Sequence, residues 1–145
     1  MKTSTHLKYI KAHDPEGLHE DTTQTLSELA FIEDELHFLR DLITENTLEL
    51  IVGKPFEESR KLAEKLSSLE NKEKALLKEL KQHHNNLELL LDDIEVPNEV
   101  KDYKDTHYKL MMKVINFYAE VKSVKRNIFK IIAENRKKNK EKRLL

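Results

Sequence analysis

The side chains best suited to chemistry are imidazoles: the chain has seven histidines and no cysteine, so thiolate nucleophiles and cysteine-based metal sites are excluded. Two of them, His83 and His107, fall at helical positions that bring both to one level inside a bundle, together with Thr22. His84 flanks that level and His19 lies one turn away on the first helix. Histidine is the commonest metal ligand and titrates near neutrality. The constellation therefore has two readings. In the first, Thr22, His83 and His107 form a hydrogen-bonded polar layer that fixes register, as single polar seam residues do in coiled coils. In the second, His83 and His107, with His84 and His19, bind a metal between facing helices. Simple partial exposure near the bundle end is a third account of the same residues.

The metal reading lacks a carboxylate. A di-iron bundle uses four helices and two Glu-x-x-His motifs, whereas this chain offers one match, Glu16 to His19, with Gly17 inside it. Glu20, Asp21 and Asp105 are near in level but aim outward by heptad position. Glu73 lands on a seam, and a lone buried carboxylate is costly, so its side chain is expected to snorkel to the edge and meet a lysine. No second acid or base is placed to work with it. With two glycines in 145 residues no phosphate-cradling loop can be built. The sequence thus names no catalytic residue, no cofactor and no small-molecule substrate, and predicts a protein that is not an enzyme.

The elements that must hold these residues are long helices. Pro15, Pro55 and Pro97 are the only prolines, and proline is tolerated in the first turn of a helix but not inside one. With Asp14 and Asn98 as caps and Gly53 as a stop, the predicted helices are about 15–52, 55–95 and 98–138. Gly17 weakens the first start, and the helix is expected to settle only at Leu18 or later. Residues 1–13 read as a flexible arm, 14–138 as one domain, and 139–145 as a basic tail.

Each segment carries apolar residues alternately three and four apart, a heptad seam. The turns put Leu29, Leu76 and Val114 in one layer, Leu36, Leu69 and Val121 in a second, Leu39, Leu66 and Val124 in a third, and Ile43, Leu62 and Ile128 in a fourth. Asn46, Ser59 and Asn135 make a polar level at the far end. The fold class that follows is all-α: an antiparallel up-down-up bundle of three long helices with coiled-coil-like heptad packing.

Charge is divided by position. Residues 14–52 hold eleven acids and one base, and residues 98–145 hold fourteen bases and six acids, although the whole chain is at −1. The first and third helices run parallel in such a bundle, so acidic and basic flanks can cross-pair, as at Glu35 with Lys125. The basic run from Arg136 to Arg143 suits the negative end of a helix dipole and a solvated tail better than a nucleic-acid site.

The third helix has more apolar surface than one seam consumes. Tyr108, Met111, Ile115, Tyr118, Phe129 and Ile132 form a second stripe, and the first helix has a smaller one at Phe31, Phe38 and Leu42. Both border the groove between these two helices. The expected function is a protein–protein interaction or scaffold module working through that groove. The candidate occupants are a second copy of the chain, its own amino-terminal arm with Leu7, Tyr9 and Ile10, or an amphipathic helix of another protein. The same stripe can also be flanking core of a tightly wound bundle. No apolar run is long enough to cross a bilayer and no secretory leader is evident, so a cytoplasmic homodimer is the expectation.

Overall fold

The computed structural model describes residues 15–46, 54–92 and 97–144. They form three helices, α1 (Pro15–Glu45), α2 (Lys54–Asp92) and α3 (Pro97–Leu144), packed as a three-helix bundle with no strand among the described residues. Each proline stands in the first turn of its helix, where its missing N–H costs no internal bond. Gly17 does not delay α1, which is helical from Pro15. Expected residues 47–52 of the first helix, the turn glycine Gly53 and the amino-terminal arm, with Leu7, Tyr9 and Ile10, lie outside the described residues. At the other end α3 continues to Leu144, through the basic run that the sequence reading gave to a tail. Lysine and arginine are good helix formers, and nothing from Arg136 onward breaks the pattern.

The described chain divides into two compact units, and each contains a stretch of all three helices. In the first, residues 15–31 of α1 meet residues 73–92 of α2 and 97–117 of α3. Its interior takes Leu18 and Leu29 from α1, Leu76, Leu80 and Leu87 from α2, and Leu110, Met111, Val114 and Phe117 from α3. The expected layer of Leu29, Leu76 and Val114 is wholly buried. Glu73 is buried as well, with 2% of its surface exposed. It does not snorkel to the edge as expected, because its place on the seam holds the short carboxylate stem inside.

The second unit contains residues 32–72 and 118–145. Leu36, Leu69 and Val121 are buried, and so are Leu39, Leu66 and Val124. Ile128 is buried while Ile43 and Leu62 are half-buried, which loosens the fourth layer. Polar bonds tie the helices together at the flanks. Arg40 on α1 donates from Nε to Glu70 of α2 at 2.8 Å and from Nη2 to the Ser67 hydroxyl at 2.8 Å, and Nη2 also pairs with Glu70. Lys72 meets Glu120 at 2.8 Å, and the expected Glu35–Lys125 pair is formed at 2.5 Å. Asn46 closes α1: its backbone N–H and its side-chain amide both donate to the Leu42 carbonyl, at 3.2 and 2.7 Å, satisfying an oxygen that the helix end would leave open.

Candidate functional site: a buried histidine chain in the first unit

Three buried residues from three helices, Thr22, His83 and His107, are only 0%, 4% and 0% exposed. His83 Nε2 and His107 Nδ1 are 2.9 Å apart, a hydrogen bond between the two rings whose direction depends on where the proton sits. Thr22 donates its hydroxyl to the Leu18 carbonyl at 2.9 Å, the back-bond that lets a threonine stay inside a helix without an unmet donor.

Two further residues complete the chain. Asp21 is buried, 7% exposed, and its Oδ2 is 3.5 Å from His107 Nε2. Heptad phase alone aims Asp21 outward, and the structure turns it inward. An interior stripe in a three-helix bundle is wider than the two positions per heptad of a simple seam, so the neighbour of a core threonine is drawn in. Tyr103 lies flat against His83, with ring centroids 4.1 Å apart and planes 5° from parallel, and donates its hydroxyl to the His83 carbonyl at 3.0 Å. The order is therefore Asp21, His107, His83, with Tyr103 as a lid on the last ring.

Burial governs the titration of this group. Withdrawal from water lowers the His83 imidazole to about 4, with the nearby His84 pushing in the same direction. The Tyr103 phenol is raised by burial, against the opposing effect of a hydrogen bond with the Thr22 side chain. At neutral pH, His83 is thus an uncharged ring and Tyr103 an intact hydroxyl.

His19 and His84 pair with each other instead of joining the chain, their ring centroids 4.6 Å apart. His84 Nε2 is 3.4 Å from Glu88, and its Nδ1 is buried without a hydrogen-bond partner among the described residues. Among those residues no group of three or more histidines, aspartates or glutamates is arranged to hold a metal ion. His83 and His107 face one another across the 2.9 Å contact between Nε2 and Nδ1.

The apolar stripe is split by burial. Met111 and Ile132 are 2% and 5% exposed and belong to the cores of the first and second units, so neither can line a docking groove. The extra width of the interior consumes them, and Thr25 Oγ1 approaches Met111 Sδ at 3.6 Å. Tyr108, Ile115, Tyr118 and Leu42 are half-buried. Phe31 in the first unit and Phe38 and Phe129 in the second are exposed. Two further side chains, Phe56 and Leu89, are exposed and stand outside any seam, so heptad spacing gives no signal for them. No described helix is long and apolar enough to cross a membrane. Compared with protein-family models, with curated proteins and with solved structures, the chain matches nothing.

Proposed function

We propose that the protein is a non-enzymatic interaction module that self-associates, and that two copies meet through the α1–α3 side of the second unit. The observation that carries this reading is the exposure of Phe38 and Phe129, 54% and 42%. They stand three and four residues beyond Glu35 and Lys125, which are ion-paired across the two helices. Residues at that spacing share a helix side, so both rings lie on the side of the bridge, displaced the same way along parallel helices. Half-buried Leu42 continues the apolar strip on α1.

A second copy is favoured as occupant by charge. The first helix is strongly acidic and the third strongly basic, so α1 of one copy set against α3 of another, with the reciprocal contact required by a two-fold axis, matches opposite signs on both flanks of the aromatic strip. An unrelated acidic or basic helix would match only one of them. Coiled-coil-like pairing of the four helices involved would bury both phenylalanines of each copy.

Sedimentation equilibrium on the full chain at micromolar concentration tests the proposal. The expected result is a dimer, with Phe38→Glu and Phe129→Glu together weakening association by about a hundredfold or more while leaving helical content unchanged. A wild-type chain that stays monomeric at about 100 μM, or a double variant that dimerises normally, overturns it.

A further inference from the structure

A groove of about 530 Å³ opens between α2 and α3 of the first unit, within the size range of small-molecule sites. Lys78, Lys109 and Lys113 stand along it, facing one carboxylate, Glu79, which Lys113 already meets at 3.3 Å. Lys78 and Lys109 make no ion pair among the described residues. Leu110 and the lysine stems give the wall apolar surface, and Gln82 and Asn86 add amides. The groove is therefore cationic at its edges and apolar within, which suits an amphiphilic anion.

His83 joins this groove to the buried chain. It lines the groove, yet only 4% of it is exposed. Its Nε2 is taken by His107, which leaves Nδ1 for whatever enters. If neutral His107 carries its proton on Nε2, the nitrogen 3.5 Å from the Asp21 carboxylate, its Nδ1 is the acceptor and His83 donates Nε2–H to it. His83 Nδ1 is then a bare lone pair, which repels an anion. One proton taken from solvent at Nδ1, with the Nε2 proton passed across the 2.9 Å bond to His107, reverses this. The groove now meets an N–H donor, and the imidazolium charge resides on His107 beside the Asp21 carboxylate.

We propose that this groove binds a small organic carboxylate with an apolar body, together with one proton. Lys78 and Lys109 hold the charge, Leu110 packs on the body, His83 Nδ1–H donates to a carboxylate oxygen, and the Asp21–His107 pair houses the added positive charge. His83 is uncharged in the free chain at neutral pH, buried beside His107, so presenting an Nδ1–H to the ligand brings one proton with it. The charged and titratable groups around His83 and its groove are Lys78, Glu79 and His84 on α2, Tyr103, His107, Lys109 and Lys113 on α3, and, through His107 and His84, Asp21 and His19 on α1. Tyr103 keeps its proton throughout this range because burial raises its phenol, and His84→Gln serves as the control for the neighbouring histidine pair.

Octanoate is the probe, titrated into the full chain by heteronuclear NMR and by calorimetry in two buffers of different ionisation enthalpy. The expected result is saturable shifts over residues 78–86 and 106–113, uptake of about one proton, and affinity falling by up to about tenfold for each pH unit from 6 to 8. Lys78→Gln with Lys109→Gln should weaken binding at least about fivefold and keep the pH slope, since these surface changes remove charge without touching the proton path. His83→Gln should lose the slope, and His84→Gln should retain it. If His83→Gln fails to fold, the proton count and the lysine pair decide. The proposal is overturned by no saturation below about 10 mM, by octanol binding as well as octanoate, by affinity constant within about twofold across that pH range, or by the lysine double variant binding normally.

Discussion

His107 Nε2 and Asp21 Oδ2 stand 3.5 Å apart, with both residues withdrawn from solvent, so α1 and α3 of the first unit are joined through an acid and an imidazole inside the bundle. Removing one partner of such a pair strands the other in a poorly solvated site, which costs more than the pair itself contributes.

Asp21→Ala is therefore expected to lower the unfolding free energy by about 3 kcal/mol, and His107→Leu by a similar amount. The double variant should recover part of the loss, with a coupling of more than about 1 kcal/mol. Urea denaturation of the four proteins measures the cycle, and strictly additive losses would show that the two side chains are energetically independent.

Stability should fall on acidification. His83 titrates near 4 in the fold, below the unfolded value of 6.5, so the unfolded chain binds more protons between those limits. The contribution of the neutral ring is complete above pH 6.5 and is lost progressively as pH drops toward 4, by about 3 kcal/mol in all. His83→Gln should flatten that segment of the stability curve. Tyr103 acts at the other end: its raised phenol stays protonated in the fold, so stability declines as pH rises above 10, where the unfolded chain ionises first.

Burial alternates over short distances in α1. Leu29 is fully buried, and Phe31, two residues on, is 76% exposed. Leu29→Ala should cost about 3–5 kcal/mol through the cavity it leaves, while Phe31→Ser should change stability by no more than about 0.5 kcal/mol. Comparable losses at the two positions would mean that the helix is turned differently about its axis.

These same residues mark what could be read from the sequence. The three-four spacing was enough to place Leu29, Leu76 and Val114, and to place Thr22, His83 and His107, because seam positions near the middle of each unit stay covered whichever way the flanks turn. It could not place Asp21 or Met111. Both sit beside a seam residue, and whether a flanking position is covered depends on how closely the third helix approaches, which no single helix encodes. The signal for Asp21 was its position next to Thr22, at a level with two imidazoles that can pair with a carboxylate. Glu73 was misjudged for the opposite reason: its cost argued for escape, and its position did not allow one.

Arg40 gives a further test. It grips Glu70 through two nitrogens and Ser67 through one of them. Lysine keeps the charge but loses the planar fork. Because the pair is partly exposed, Arg40→Lys should cost no more than about 1 kcal/mol. Thermal unfolding that is unchanged would assign the contact no stabilising role.

The bonds within the first unit span very different lengths of chain. Tyr103 reaches back 20 residues to His83 and His107 reaches 24, whereas Thr25 and Met111 are 86 apart. Closing the longer loop costs about 1 kcal/mol more in entropy. The α2–α3 hairpin is thus the part that can form by itself, and α1 is the strand of the braid that docks last and leaves first. Asp21 rides on that helix, so each excursion of α1 would take the counter-charge away from the two rings, and native-state hydrogen exchange should find the α1 amides opening before those of α2 and α3.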